Sequence, residues 1–357
     1  MHGGGIEGAS NSFGIKKERI IDFSSNVNPV ALPDKVKNAI CSGIRNISRY
    51  PDRESLKLRI ALGEYLGIDI SRIAAGNGSA DLIYRAASVL KPKIGFVISP
   101  SFSEYERALS GVGARITFLL LRERNEFNIS VEEIISGVKS GSAVFLCNPN
   151  NPTGTIISQE ELKFLSRELN KKNAVLIIDE AFIDTVQEHS LIVQAAEIPN
   201  LLVLRSMTKF FGLTGLRLGY AVGNKKLIKE IHGCGQPWPV NIFAQAAGEA
   251  VLQERSFINK SRDLLLKERN FLYTRLCSIS GLKPYSSYAN FILVKIGVSI
   301  SSSELQKGLM KRGIFIRDCS NFRGLNNKYI RIAVRKHRES LLLIGELKAI
   351  LNKENKK

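Results

Sequence analysis

The chain has 357 residues, of which 44% are hydrophobic and 24% are charged. This length exceeds what one simple core needs, so we expect a soluble globular protein with two domains, or one large domain with an attachment. No run of about 18 apolar residues is present, which excludes an ordinary membrane-spanning helix. Residues 1–5 show no basic and then apolar signal peptide, so the expected location is the cytoplasm.

The formal net charge of +18 comes from 51 basic and 33 acidic residues. Such a surplus can indicate nucleic-acid binding. Here the basic residues are dispersed along predicted helices and no nucleic-acid-binding module is recognisable, so we expect no nucleic-acid partner. A basic nucleic-acid-binding protein stays a remote alternative. An anionic small-molecule substrate would also benefit from a positive field.

The cysteines and histidines predict neither a disulfide framework nor a metal site. The five cysteines are scattered and odd in number, and no pair has C-x-x-C spacing. The four histidines follow no metal-ligand pattern. No metal cofactor is therefore expected.

Between residues 70 and 225, short apolar runs alternate with amphipathic helical stretches. Apolar runs without internal alternation, separated by helices, indicate a mostly parallel sheet covered on both faces. In such sheets the binding residues gather at the carboxyl ends of the strands. The runs predicted as buried strands are 94–98, 116–121, 143–146, 174–178 and 201–204.

After residue 225 the pattern changes to that of a smaller α+β domain. A long helical stretch over 242–276 is followed by strand-like runs and a final helix; the runs are 290–294, 314–317 and 329–335. The fold is therefore predicted as α/β, with a large domain whose mostly parallel sheet is flanked by helices. We assign residues 36–255 to that domain, and residues 1–35 and 256–357 together to the small domain.

Chemically distinctive side chains follow the predicted strands in a fixed order. They are Asn151 in NPNNPTG, Asp179 in DEAF, Lys209 in SMTKFFG and Arg217 in GLRLGY. A site for pyridoxal 5'-phosphate (PLP) needs this set, since a lysine can form a Schiff base with the aldehyde and an aspartate can keep the pyridine nitrogen protonated. The amide of Asn151 can donate to the phenolic oxygen, and Phe102 is placed to stack on the ring.

A glycine-rich turn provides a candidate site for the cofactor phosphate. The segment AGNGSAD at 75–81 precedes a helical pattern over 82–90. Free backbone N–H groups and the positive end of the helix dipole suit a dianion. The segment lacks both a P-loop and a GxGxxG pattern, which disfavours nucleotide binding. With Ser206, Thr208 and Arg217 nearby, we predict a phosphate cup.

Arginines on strands of the small domain indicate an anionic substrate. Arg331 and Arg335 alternate with apolar residues and therefore share one face, and Arg317 ends the preceding apolar run. Arginine forks bind carboxylates and phosphates in bidentate fashion. Because three arginines exceed what one carboxylate requires, we infer a substrate with a carboxylate and a phosphate. Solvated strand-face arginines are the alternative.

Further short stretches complete a family pattern that extends over essentially the whole chain. They are His2-Gly3-Gly4, DFSSNVNP at 22–29, RYPD at 49–52, PWPVN at 237–241 and IRDCSNF at 316–322. Together with the motifs above, they resemble the fold-type I PLP enzymes of the aspartate aminotransferase superfamily, in the branch of the histidinol-phosphate aminotransferases. Within that branch the chain is most similar to the threonine-phosphate decarboxylases of cobalamin biosynthesis.

The resemblance implies roles for the cofactor residues. Lys209 would carry the Schiff base, Asp179 would pair with the pyridinium nitrogen, and Asn151 would bind the phenolate oxygen. Tyr50 would reach the cofactor phosphate of a neighbouring subunit, which implies a homodimer with shared sites. The residues that would hold the phosphate within one subunit are Ser79, Ala80, Ser206 and Arg217.

The resemblance also implies a reaction, the decarboxylation of L-threonine O-3-phosphate to (R)-1-amino-2-propanol phosphate. Arg331 would clamp the substrate carboxylate. The candidates for binding the substrate phosphate are His2, Asn28, Arg317 and Arg335. An aminotransferase acting on histidinol phosphate or an aromatic amino acid stays open, because the torsion at Cα is not written in the sequence.

One position departs from the superfamily pattern. Many of its aminotransferases place a tyrosine three residues after the aspartate, where it donates to the phenolate oxygen, but this chain has Phe182. Losing a donor to an anionic oxygen disfavours the anion and should raise the pKa of the Schiff base. This is compatible with a decarboxylase, although a few transaminases could tolerate it.

Overall fold

The computed structural model describes residues 4–354, so His2 lies outside the described residues. Its strands, in chain order, are β1 (Ile21–Asp22), β2 (Ile73–Gly76), β3 (Ile94–Ser99), β4 (Arg115–Leu120), β5 (Ala143–Cys147), β6 (Val175–Asp179), β7 (Leu201–Ser206), β8 (Gly219–Gly223), β9 (Leu282–Pro284), β10 (Phe291–Ile296), β11 (Ile314–Phe315), β12 (Arg317–Asp318) and β13 (Tyr329–Ala333). Within the described residues these strands form three sheets, of two, four and seven strands.

The α-helices alternate with the strands along the first two thirds of the chain. They are α1 (Ile6–Phe13), α2 (Asp34–Gly43), α3 (Leu56–Leu66), α4 (Gly78–Leu90), α5 (Glu104–Gly111), α6 (Val131–Gly137), α7 (Gln159–Lys171), α8 (Ile192–Ala195), α9 (Lys225–Gly233), α10 (Ile242–Leu252), α11 (Arg255–Cys277), α12 (Ser302–Met310) and α13 (His337–Glu354). Local sequence sets several of these boundaries. For example, α7 begins with a capping box in which Ser158 and Glu161 satisfy each other's backbone N–H groups.

The large sheet has the strand order β2-β8-β7-β6-β5-β3-β4. All five runs predicted as strands belong to it and pair in parallel, which confirms the predicted fold class. The sequence prediction missed β2 and β8, and β8 is antiparallel to both of its neighbours. Both missed strands are short and carry glycines at their ends, so neither gives a clear strand pattern.

The helical stretch predicted over 242–276 is two helices, so that prediction was wrong. The chain leaves helical geometry at Glu254, although neither glycine nor proline stands there. Tertiary packing explains the break: α10 packs on α2 and α3, whereas α11 packs on β9 and α13. A helix that serves two different layers must change direction between them.

The small unit contains an antiparallel sheet of order β12-β13-β10-β9 covered by α11, α12 and α13. Its own apolar core joins residues from both ends of the chain, including Phe23, Ile292, Ile330 and Leu347. The N-terminal β1 pairs in parallel with β11. This pairing supports the proposed division into 36–255 and a small domain of 1–35 with 256–357. We keep that division as a proposal.

Within residues 4–354, no helix is both long enough and apolar enough to cross a membrane.

Candidate active site

A cavity of about 460 Å³ lies where the carboxyl ends of β5, β6 and β7 face the small sheet. Parallel strands bring their carboxyl ends to one edge, so residues far apart in sequence meet there. Most of the candidate residues line this cavity. They are Ser79, Ala80, Phe102, Asn151, Asp179, Ser206, Thr208, Lys209, Arg217, Arg317 and Arg331.

Asp179, the last residue of β6, is buried and hydrogen-bonded at the floor of the cavity. The phenol of Tyr105 donates to its carboxylate at 2.8 Å, and the Ala181 backbone N–H donates at 3.0 Å. Burial raises the pKa of Asp179 to about 6, although the hydrogen bond from Tyr105 opposes that rise. A buried carboxylate in this state favours a cationic partner, and a protonated ring nitrogen is such a partner.

Lys209 stands in the loop after β7, with its amine inside the same cavity. Burial, together with the charges of Arg331 and Arg217, lowers the pKa of Lys209 to about 8, while the charge of Asp179 acts in the opposite direction. A lysine with a depressed pKa holds more of its neutral, nucleophilic form near neutrality. The amine is therefore suited to forming a covalent bond with an aldehyde.

The N-terminus of α4 forms a cradle that fits a phosphate. Gly78 has a φ of +80°, and a methyl group there would meet the Arg217 guanidinium at 2.8 Å. A methyl group at Gly219 would overlap the Ser79 backbone nitrogen, so β8 can approach the helix only with glycine at that position. Arg217 itself adopts a left-handed φ of 58°, which directs its side chain over the helix end.

Two hydroxyl groups border the same cradle. The Ser206 and Thr208 side chains share a hydrogen bond of 2.6 Å, and both line the cavity. Backbone N–H groups, two hydroxyls and a guanidinium together match the acceptor oxygens of a dianion. The phosphate cup predicted from the sequence is thus brought together in space, while its role stays a prediction.

Two arginines form the opposite wall of the cavity. Arg317 on β12 pairs directly across from Arg331 on β13, so both side chains leave the same face of the sheet. Arg331 donates to Asn151 Oδ1 at 2.5 Å and to the Ser24 carbonyl at 2.8 Å. Burial lowers the pKa of Arg331 to about 10 and also lowers that of Arg317.

Neither guanidinium has a carboxylate partner within the described part of the chain. No Asp or Glu oxygen of residues 4–354 lies within 4.0 Å of either one, and Arg331 Nε is buried without a hydrogen-bond acceptor. Among the residues that the structure describes, the Arg317 side chain donates only to the Asn321 side-chain oxygen, at 2.6 Å. Two adjacent buried cations without counterions favour an anionic ligand.

The structure does not bring every candidate to the cavity. Asn28 is buried elsewhere, where its amide donates to the Phe210 carbonyl and to Ser261, both at 2.7 Å. Arg335 lies beyond the end of β13, because the strand stops at Ala333, and it pairs with Glu339 at 3.0 Å. The strand alternation therefore does not extend to Arg335. Neither residue lines the cavity, and their role as phosphate ligands stays a prediction.

Tyr50 also lies outside the cavity of its own chain. Its side chain is 78% exposed and stacks on Trp238 with ring centroids 4.2 Å apart. This position agrees with a contact to a neighbouring subunit, which stays a prediction.

Sequence reasoning missed several residues of this site. Tyr105 lies on an amphipathic helix and gives no local signal of its contact with Asp179. Ser24 contributes a backbone carbonyl, which any residue type could provide. Phe322 lines the cavity, and the Arg317 guanidinium lies over its ring, with Cζ 5.3 Å from the ring centroid. Its aromatic character in the IRDCSNF stretch was the available signal. No cluster of metal-ligating side chains occurs among the described residues.

This site and fold define a known enzyme class. The Aminotransferase class I and II family profile matches residues 18–343, and the chain therefore belongs to that family. The fold is that of the fold-type I PLP enzymes, and the cofactor is PLP.

Similar proteins include both decarboxylases and aminotransferases. The chain is 35% identical to the threonine-phosphate decarboxylase of Salmonella typhimurium over 98% of this chain and 96% of that protein. The structure of the histidinol-phosphate aminotransferase from Clostridium acetobutylicum matches with a TM-score of 0.86 and 31% identity, covering 93% of this chain and 99% of that one. A Sinorhizobium meliloti histidinol-phosphate aminotransferase, solved in complex with PLP, has the same fold, with a TM-score of 0.84 and 22% identity over 98% and 95% of the two chains.

The residues of this chain fit PLP. Within the described residues, the buried Asp179 forms no salt bridge and could pair with a ring nitrogen. Lys209 offers a buried amine, and the α4 cradle offers donors to a phosphate. The ring nitrogen, the aldehyde and the phosphate of the cofactor thus each have a matching group on the wall of one cavity.

Proposed function

We propose that this enzyme decarboxylates L-threonine O-3-phosphate to (R)-1-amino-2-propanol phosphate and CO₂, a step of cobalamin biosynthesis. The observation that carries the proposal is the pair of buried guanidinium groups of Arg317 and Arg331. They lie across from each other on β12 and β13 and face the cavity of Lys209 without carboxylate partners in the described chain. A substrate with a carboxylate and a phosphate would neutralise both.

The cavity residues have separate tasks in this proposal. Lys209 would hold the cofactor covalently, Asp179 would hold its ring nitrogen, and Asn151 would donate to its ring oxygen. Phe102 would pack on the ring, and its place on the cavity wall supports this role. The cofactor phosphate would be bound by Ser79, Ala80, Ser206, Thr208 and Arg217.

PLP, when bound, supplies a carbon that joins to the substrate amine and a ring that withdraws electrons from the substrate Cα. Asp179 would support this as a carboxylate beside the ring nitrogen, and Tyr105 donates the hydrogen bond that holds this carboxylate in place. The chain contributes orientation, charge and a proton, while the cofactor contributes the electron-accepting ring.

Orientation decides which bond at Cα breaks. Arg331 would bind the carboxylate and Arg317 the phosphate, so that both ends of the substrate are anchored and rotation about Cα is restricted. His2, which is outside the described residues, stays a candidate for the phosphate. After CO₂ leaves, Cα must take up a proton. The buried amine of Lys209, with its pKa of about 8, is a suitable donor at that point.

The decisive experiment follows both products. The holoenzyme is incubated with carboxyl-labelled L-threonine O-3-phosphate, and labelled CO₂ and 1-amino-2-propanol phosphate are measured. Release of CO₂ in equal amount to the amine product is expected. Absence of CO₂ release, together with amino transfer to 2-oxoglutarate, would refute the decarboxylase assignment.

Histidinol-phosphate aminotransfer is the second candidate function. The fold similarity to the aminotransferase from Clostridium acetobutylicum favours it. Histidinol phosphate has no carboxylate, although the amino-group partner of such a reaction, glutamate, does. The same assay with histidinol phosphate and 2-oxoglutarate tests this candidate directly. Membership in an enzyme family leaves the nucleic-acid-binding alternative without support.

We also propose that two copies of the chain share their active sites. Exposed apolar side chains concentrate in one segment around Tyr50, including Ile44, Ile47, Leu56 and Ile60. A cluster of this kind favours a protein partner. A second copy would cover it and bring Tyr50 to the neighbouring phosphate cup. A dimer in sedimentation, and weaker PLP binding by Tyr50→Phe, are the expected results.

A further inference from the structure

The carboxylate of Glu123 connects the two sheets of the molecule. Glu123 follows β4, the edge strand of the large sheet. Among the described residues, its carboxylate accepts hydrogen bonds only from side chains of the small unit. Lys295 Nζ donates to both of its oxygens at 2.8 Å, and the phenols of Tyr285 and Tyr329 each donate at 2.8 Å. Four hydrogen bonds from three side chains, on three segments, thus converge on one carboxylate.

The backbone beside Glu123 is strained to build this contact. Glu126 and Phe127 have φ values of 52° and 58°, which ordinary side chains rarely adopt. The strain places the buried Phe127 ring edge-on to Tyr285 and Tyr329, at centroid distances of 5.1 and 5.9 Å. Such conformations persist where surrounding contacts over-determine them, and they concentrate at functional sites.

Glu123 stays ionised through the working pH range. Partial burial opposes its charge, but hydrogen bonds from Lys295, Tyr285 and Tyr329 lower its pKa to about 2. Its side chain and that of Lys295 are each about one third exposed, at 32% and 34%, so the ion pair alone contributes little to stability. Geometry, more than the strength of one pair, distinguishes this cluster from an ordinary surface ion pair.

The cluster holds the strand that carries Arg331. Tyr329 and Arg331 are two residues apart on β13 and share a face, and Lys295 lies directly across from Tyr329 in the register of β10. Successive residues on that face are therefore tied to the large unit: Tyr329 to Glu123, and Arg331 to Asn151. Both connections thus lie on the face of β13 from which the Arg331 guanidinium reaches the cavity.

We infer that Glu123 is a positioning residue for the carboxylate-binding arginine, and that it sets where Arg331 meets the substrate. The inference rests on the proposed function for its assignment of Arg331 to the carboxylate. Glu123 lines neither the cofactor cradle nor the cavity, so it acts through β13.

Two ligands that differ in one group test this inference. L-Threonine O-3-phosphate has a carboxylate, whereas 1-amino-2-propanol phosphate lacks it and keeps the amine and phosphate. Glu123→Gln should lower kcat/KM for the first by roughly tenfold, since small displacements of anchoring groups are costly. The inhibition constant of the second should change less than about twofold. Tyr329→Phe should show the same selectivity with a loss of about threefold.

Glu168→Gln is the matched control. It removes an exposed ion pair with Lys171 on α7, which has no connection to β13, and both ligand constants should keep their wild-type values. Unfolding temperature and cofactor absorbance are measured for every variant. The double variant of Glu123→Gln and Tyr329→Phe should lose no more than Glu123→Gln alone, because both act through one hydrogen-bond cluster.

If Glu123→Gln impairs kcat/KM for threonine phosphate and the binding of 1-amino-2-propanol phosphate by the same factor, the inference is overturned, since that result would indicate a general structural role. Unchanged constants for both would overturn it as well. If the wild-type enzyme does not act on threonine phosphate, the proposed function fails separately. The same comparison is then made with L-glutamate, which has a carboxylate at Cα, and histidinol phosphate, which has none. Equal loss for both amines, or no change for either, would again overturn the inference on Glu123.

Discussion

The phenol of Tyr105 donates a hydrogen bond of 2.8 Å to the carboxylate of Asp179. Tyr105 is fully buried on α5 and stacks on Phe145, with centroids 5.5 Å apart, so its hydroxyl group has little freedom to move. The bond favours the ionised form of a carboxylate that burial would otherwise keep protonated. Asp179 can therefore meet a protonated ring nitrogen as an anion.

Replacing Tyr105 with Phe should weaken PLP binding. Without the hydrogen bond, the pKa of Asp179 should rise above its present value of about 6, so less carboxylate is ionised near pH 6. We expect about tenfold weaker binding to the apoprotein at that pH, as for loss of a hydrogen bond to a charged group. The difference should shrink toward pH 9, where the carboxyl is ionised in both proteins.

Titration of the apoprotein with PLP at several pH values, followed by absorbance, measures this effect. Tyr273→Phe, whose phenol lies on α11 away from the cavity, is the control and should bind normally. A Tyr105→Phe protein with unchanged affinity at every pH would contradict the role given to this bond.

The pH dependence of PLP capture should report on Lys209. Only the neutral amine attacks an aldehyde, and burial lowers the pKa of this amine from 10.5 to about 8. The capture rate should therefore rise with pH and level off above about pH 8. Stopped-flow absorbance of apoprotein mixed with PLP measures the rate, and Lys209→Ala should show no covalent capture. A rate that keeps rising to pH 10 would refute the lowered pKa.

Sequence patterns predicted the central strands that meet at the cavity edge of the large sheet, because the signals of those strands are local. Apolar runs marked the central strands, and parallel connectivity placed Asn151, Asp179 and Lys209 at one edge. Contacts between distant segments were beyond such patterns. The contacts of Tyr105 with Asp179 and of Tyr329 with Glu123 depend on tertiary packing, and the residues next to them in sequence give no signal of it.

The position of Arg335 outside the cavity also has a physical explanation. Alternation along an apolar run predicts a shared face only while the strand continues, and β13 ends two residues before Arg335. The side chain then pairs with Glu339 at the start of α13. Where a strand stops depends on the pairing partner, here β10, and not on the sequence of the strand itself.

Arg331→Met should separate substrate binding from stability. A buried guanidinium without a carboxylate partner in the described chain stabilises the fold little, so the free energy of unfolding should stay unchanged or rise by about 1 kcal/mol. Loss of a charge-assisted fork should weaken threonine phosphate binding by about 100-fold. Binding of 1-amino-2-propanol phosphate should change little.

Arg317→Met gives the complementary result. If Arg317 binds the phosphate, Arg317→Met should bind both ligands more weakly and by a similar factor, because both carry a phosphate. Denaturant unfolding and inhibition constants measure the two variants side by side. Loss of stability in Arg331→Met, with equal weakening of the two ligands, would contradict the carboxylate assignment.

Gly219→Ala should distort the phosphate cup, because the added methyl group on β8 would push against the N-terminus of α4. A methyl group there would overlap the Ser79 backbone nitrogen and approach the Arg205 carbonyl oxygen at 2.9 Å, and backbone on both sides cannot yield easily. The N-terminus of α4 would shift by part of an ångström from β8, and the N–H groups that point at the phosphate would shift with it. We expect about 1–3 kcal/mol of lost stability and PLP binding at least tenfold weaker.

Gly111→Ala is the matched control, because a methyl group at that helical position meets nothing within 4 Å and should be neutral or slightly stabilising. Calorimetry of the apoproteins measures the stability of both variants, and titration with PLP measures their affinity. A Gly219→Ala protein that binds PLP as tightly as wild type would show that the close approach of β8 to α4 does not shape the cup.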